Sequence, residues 1–280
     1  MRPSNEFLGL PYRYARERVL WAQALARNFG LGGTLAFVAG TVNSVAFLAF
    51  GTFVSHISGH ATRSAVEYSE GHFHLAATFF LATALFMAGA LTTTLCLRGE
   101  SVEKRTRAFA LPLVLELGIL VVVLAQATSH VVYAFSFAMG LQNALVRQAS
   151  GTIVRTTHVT GIATDIGIAL GTALLSFLSE ARYALRSSWR MATLAHVGSA
   201  LLKVFRFERL LLHLTLFVAF LVGAFVGALG FQSHGFDILY CPVAVLSIII
   251  VRELTPRRRR KDTGPHEGPP APHTPTSEPA

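Results

Sequence analysis

The sequence predicts an all-α polytopic membrane protein of six spanning helices, arranged as two inverted three-helix repeats that each carry a broken or re-entrant segment. Three observations lead there. Apolar residues make up 52% of the 280 and charged residues 14%, with mean hydropathy +0.51. A soluble domain carries about 25% charge, and disorder requires low hydrophobicity. Six apolar stretches approach the roughly 20 residues that a spanning helix needs, and motifs of the first half of the chain return in the second.

Residues 1–30 place Val19, Leu20, Trp21 and Leu25 at helical spacing among Arg16, Glu17, Arg18 and Arg27. This is the pattern of a cytoplasmic interfacial helix with Trp21 at the headgroups. The same arginines exclude a signal peptide. Spans are expected at 31–54, Phe73–Leu97, 109–128, 131–150, 210–231 and 236–251. A seventh apolar run, 162–179, is ambiguous between crossing and re-entering. Its counterpart 60–71 is shorter and carries Arg63, Glu67 and Glu70. After Leu254 a basic run, 257–261, leads into a tail rich in Pro, Gly, Ser and Thr. The tail, 255–280, has little apolar surface to bury and is expected to be disordered, its basic run a juxtamembrane anchor. Cys96 and Cys241 stand alone, which excludes a disulfide framework.

Phe37-Val38-Ala39-Gly40-Thr41-Val42-Asn43 aligns with Phe137-Ala138-Met139-Gly140-Leu141-Gln142-Asn143 at an offset of 100. After a two-residue insertion, His56-Ile57-Ser58-Gly59-His60-Ala61-Thr62 aligns with His158-Val159-Thr160-Gly161-Ile162-Ala163-Thr164. Phe86-x-x-Gly89-Ala90 answers Phe220-x-x-Gly223-Ala224, and Pro112 answers Pro242. Two membrane repeats, 31–128 and 129–254, are therefore expected. In each, a Gly-Thr pair ends the first helix and a Ser-Gly or Thr-Gly pair opens the next run, where Gly frees the backbone and the hydroxyl can cap. Paired discontinuous helices point to a transporter's binding site. Ordinary polar loops at the membrane surface are the simpler alternative.

If the two post-motif segments do not cross, the basic stretches 1–30, 98–108, 151–209 and 252–280 all face the cytoplasm and the external stretches hold only Arg63. That satisfies the positive-inside rule and puts both termini inside. Three spans per half then invert the second half against the first.

The pattern Gly40-x-x-Asn43, Gly51-Thr52-Phe53-Val54, Ser58-Gly59, repeated as Gly140-Leu141-Gln142-Asn143 and Thr157-His158-Val159-Thr160-Gly161, resembles the YoaK-like family of bacterial inner-membrane proteins over roughly residues 30–251. The resemblance implies insertion in the inner membrane and supplies no substrate. Family members often carry Thr-Gly-Asn where this chain has Ser58-Gly59-His60, and Ile162 takes the Asn place in the second copy.

Glu116 is the sharpest single residue. It interrupts an apolar run, where a carboxylate costs about 2.5–3.5 kcal/mol on insertion scales and seeks protein, water or a proton. A Glu snorkelling to a nearby interface is the alternative. Asn43, Gln142 and Asn143 could line a solute path or bond across helices, and Ser58, Gly59, Thr160 and Gly161 complete the candidate path. His56 and His158 are expected to cap helices or line a pore. His56 and His60 have i, i+4 spacing, but Gly59 and a presumed break intervene, so no metal site is expected. Asp165 is expected to cap the helix after Gly161, and Arg147 to mark a cytoplasmic helix end, with pairing to Glu116 or Asp165 as the alternative. Gly167-x-x-x-Gly171 and Gly223-x-x-x-Gly227 allow close helix packing.

No nucleophile–base series, P-loop or dinucleotide fingerprint is present, so neither an enzyme nor a cofactor is expected. The paired broken motifs point to transport of a small solute of unknown identity through the region between them. The alternative is a non-transporting assembly or sensor protein. The expected partners are the lipid bilayer and that solute, with no nucleic acid; a homo-oligomer stays open.

Overall fold

The computed structural model describes residues 10–97, 108–126, 130–149, 159–186 and 207–255, and among them no strand occurs. Helix α1 (Leu10–Phe50) is one continuous element. It joins the expected interfacial segment to the first span, because its proline, Pro11, sits in the first turn, where no intrahelical N–H is needed, and Gly30, Gly32 and Gly33 alone do not break it. It stops where Gly51 takes φ +71, with Gly51 N–H donating to Phe47 O at 2.8 Å. Then come α2 (Ile57–Ser69), α3 (Phe73–Leu97), α4 (Ala110–Ala125), α5 (Val131–Ala149) and α6 (Val159–Arg186). The last described elements are α7 (Phe207–His234), a 3-10 turn (Gly235–Leu239) and α8 (Tyr240–Leu254). The expected disordered tail beyond Thr255 lies outside the described residues.

Among the described residues, four runs are long and apolar enough to cross a membrane: Phe29–Phe50, Phe73–Leu97, Val159–Ser179 and Leu210–Leu254. The last contains two helices, since Gly235 (φ +60) turns the chain between α7 and α8. The 16-residue α4 is a shorter apolar helix, about 24 Å long. Gln142, Asn143, Arg147 and Gln148 dilute the apolar content of α5. The two post-motif helices differ: α2 has 13 residues and is too short to span, whereas α6 contains a run that is long enough. Leu91, Leu95, Val122, Leu175, Phe225, Leu229 and Ile248 are all more than half exposed, an exterior suited to lipid.

Packing is crossed between the halves. Helix α1 packs most extensively on α7, and α3 on α5. At the first crossing a methyl group on Gly40 would collide with the backbone carbonyl of Phe220, and one on Gly223 with that of Phe37. At the second, Gly89 lies against the Phe137 carbonyl and Gly140 against that of Phe86. The backbones touch, so side-chain hydroxyls reach across: Thr41 Oγ1 donates to Gly223 O at 3.0 Å and Thr93 Oγ1 to Leu141 O at 2.9 Å. Between the pairs lies a core that includes Leu35, Val42, Phe135, Met139, Leu120, Leu216 and Leu246. Gly223 and Gly227 serve close packing, as their spacing predicts. Gly167 and Gly171 do not: among the described residues, no heavy atom lies within 4 Å of a methyl placed on either.

Candidate functional site

The first motif forms the break between α1 and α2. Past Gly51 the chain turns through Thr52–Ser55, held from within the bundle by Asn43. Its Nδ2 donates to Ser55 Oγ at 2.7 Å and to Ala39 O at 3.1 Å, while its Oδ1 accepts from Ser55 N–H at 3.1 Å. Asn43 is buried, and its amide is spent on fastening the loop. Thr52 Oγ1 and His60 Nε2 are 3.2 Å apart. Phe53 stacks on Phe47 with centroids 4.4 Å apart.

His56 occupies the N-cap position of α2, yet its side chain makes no capping hydrogen bond. Its ring lies against Gly59 instead, where a methyl would come within 2.6 Å of His56 Nδ1. Ser58 falls inside the first turn of α2 and does not cap it. His56, Ser58, Gly59, Thr62, Arg63 and Glu67 line an open groove of about 490 Å³. Arg63 sits over the Phe79 ring at 4.7 Å and its Nε lies 3.3 Å from Glu67 Oε1, so the groove carries both charges. His60 is buried behind it; burial holds its imidazole below the usual range, and the His56 and Arg63 charges push the same way.

The second motif is described only in part. His158 lies outside the described residues, while Thr160 and Gly161 fall in the first turn of α6. Because α6 begins at Val159, Asp165 stands in its second turn and does not cap it. Its Oδ2 lies 3.6 Å from Nε2 of the buried His213 on α7 instead. Arg147 is exposed in the last turn of α5.

Glu116 occupies a core position of α4, in the buried stripe Leu113, Glu116, Leu120, Val123. It is fully buried, and neither carboxyl oxygen has a hydrogen-bond partner among the described residues. The pairing with Arg147 that the sequence allows is not made. On α5, Gln142 is fully buried and its Nε2 donates to the Leu35 carbonyl of α1. Its Oε1, Ser136 Oγ and Asn143 Oδ1 have no partner among the described residues. Buried polar atoms in proteins nearly always have one. The sequence signals for Glu116 and Gln142 were a charged or amide residue in an apolar run; Ser136 gave no such signal.

With described residues that hold helices and no strand, four runs among them fit to cross a bilayer, and an apolar exterior, the chain has the make-up of an integral membrane protein. It belongs to the family described as a protein of unknown function (DUF1275), whose model matches residues 31–252. Comparison with curated proteins and with solved structures finds no match.

Proposed function

We propose that this protein is a small-solute permease of the bacterial inner membrane, with six spans in two inverted repeats and both termini in the cytoplasm. The spans are α1, α3, α4, α5, α7 and α8; α2 and α6 are the paired post-motif segments. Glu116 carries the reading. An ionisable side chain with no partner among the described residues, at a core position of an apolar helix, is expensive and marks function by default. The crossed contacts support the repeats, since Phe37-x-x-Gly40 meets Phe220-x-x-Gly223 as Phe137-x-x-Gly140 meets Phe86-x-x-Gly89. The path runs past Glu116 and Gln142 between the two motifs, and Glu116 is the coupling group. No enzymatic step is assigned to it.

Uptake into reconstituted vesicles, screened across solute classes, tests this directly. Wild type should take up one class in a pH-dependent manner, and Glu116→Gln should abolish that dependence at equal expression. Uptake with unchanged pH dependence in the variant, or no uptake by the wild type, would overturn the assignment. The saturated amide of Asn43 favours a second reading, a membrane assembly or sensor protein in which the first motif is scaffold. Impermeant thiol reagents distinguish the two, because solute should protect cysteines introduced at Ser58 and Thr160 only in a permease.

A further inference from the structure

We infer that Glu67, Glu70 and His72 form a binding site for a divalent first-row metal ion at the reversal between α2 and α3. The inference stands apart from the permease reading.

The site is built by the backbone. Glu67 lies in the last turn of α2 and Glu70, three residues on, is its C-cap with helical backbone angles, so the two share a face. Gly71 follows with φ +83, a conformation that glycine adopts freely. Gly71 N–H then donates to Tyr68 O at 3.1 Å and His72 N–H to Glu67 O at 2.8 Å. This pair of bonds is the Schellman closure of a helix. It returns residue 72 to the level of residue 67, so the imidazole arrives beside the carboxylates without any ligand to draw it there.

The donor geometry fits one ion. His72 Nδ1 lies 3.0 Å from Glu67 Oε2 and 3.6 Å from Glu70 Oε2. One donor atom from each residue lies within 4.8 Å of the other two. Ligands at about 2.0–2.2 Å from a common ion stand roughly 3.0–3.6 Å apart in tetrahedral or octahedral arrangements. The proton count also favours a cation. A neutral imidazole has one N–H proton, so Nδ1 can satisfy at most one of the two carboxylate oxygens that converge on it.

The support around the donors has the form of a metal site's outer shell. The Glu67 side chain is 11% exposed, and its other oxygen is engaged by Arg63 Nε, which orients the carboxylate as outer-shell partners do. Glu70 and His72 face solvent, giving the ion an entry path and leaving positions for water. One imidazole with two carboxylates selects Zn²⁺, Mn²⁺ or Co²⁺ over Ca²⁺ or Mg²⁺, which prefer oxygen alone. Glu67 also lines the motif groove, so an ion here would sit at the groove's edge.

The test is titration of the full-length protein, purified in detergent with any affinity histidines removed, with Co²⁺ followed by visible absorption and with Zn²⁺ by calorimetry. One ion per chain should bind, and Glu70→Gln and His72→Ala should each weaken it by roughly tenfold or more. Both side chains are exposed, so these variants should keep wild-type helicity and elution. His56→Ala and His74→Ala should leave affinity unchanged. Absence of saturable binding, or equal affinity in the Glu70→Gln/His72→Ala double variant, would overturn the proposal. So would a loss that tracks His56.

Discussion

His213 Nε2 on α7 lies 3.6 Å from Asp165 Oδ2 on α6, and this contact occupies the same pair of aligned positions as Arg63 over Phe79 between α2 and α3. The alignment that sets His56 on His158 sets Arg63 on Asp165, and the one that sets Phe86 on Phe220 sets Phe79 on His213. Each post-motif helix is thus tied to the following helix at one register, by a cation on an aromatic ring in one half and by an acid beside an imidazole in the other.

That register can be rebuilt. Asp165→Arg alone sets a cation beside His213 and should destabilise the detergent-solubilised protein by about 0.6–1.7 kcal/mol, the range of polar contacts between membrane helices. Asp165→Arg with His213→Phe recreates the ring contact of the first half and should recover most of the loss. Thermal melts of the three forms and of His213→Phe complete the cycle. Simple additivity would separate the two positions energetically.

Glycine substitutions should sort by location. Gly40→Ala and Gly140→Ala drive a methyl into a facing backbone carbonyl and should cost about 1–3 kcal/mol or more, as overpacking does. Gly167→Ala and Gly171→Ala meet open space and should be neutral or stabilise by up to about 1 kcal/mol through helix propensity. Fluorescence-detected size exclusion after a temperature series gives the ranking.

Glu116→Leu removes a buried group that has no partner among the described residues and copies Leu246, the residue aligned with it. The expected outcome is a melting temperature raised by several degrees, since a buried unsatisfied polar group costs about 1–3 kcal/mol. Under the permease reading the same variant loses uptake. A lower melting temperature would mean that the carboxyl is satisfied and structural.

His60 should make the α2 region acid-sensitive. Its folded imidazole titrates below the unfolded value of 6.5, so the unfolded chain binds more protons in between. The stability contributed by neutral His60 is fully present above about pH 6.5 and is lost as pH falls towards the folded pKa. His60→Gln can still meet Thr52 and should flatten that slope. Melts from pH 7.5 to 5 should show the wild-type advantage shrinking with acid.

Much of this fold could be read from residue order. Apolar run length placed α3 at Phe73–Leu97 and the start of α5 at Val131, and the Phe-x-x-Gly motifs marked the faces that pack. Which helix each face meets was not legible, because a small-residue face is equally complementary to any other. The same limit hid the role of Asn43: Ser55 is 12 residues away and reaches it only after the chain turns at Gly51. Asp165 does not cap because α6 starts at Val159, ahead of Gly161, where the glycine signal in the sequence opens the helix. The Glu67, Glu70 and His72 group does not show the His i, i+4 spacing of a helical metal site. Its sign in the sequence is Glu-Gly-His at a helix end, where glycine closes the last turn and returns the next side chain.

The exchange of partners between the halves has a consequence for biosynthesis. The acceptor of Thr41, Gly223, lies 182 residues downstream, and translation at about 5–20 residues per second takes roughly 10–40 s to supply it. During that interval α1 is already made while Gly40 and Thr41 have no α7 to rest against. The newborn segment needs a temporary host, in the insertion machinery or beside it, until the late arrival of α7 releases it.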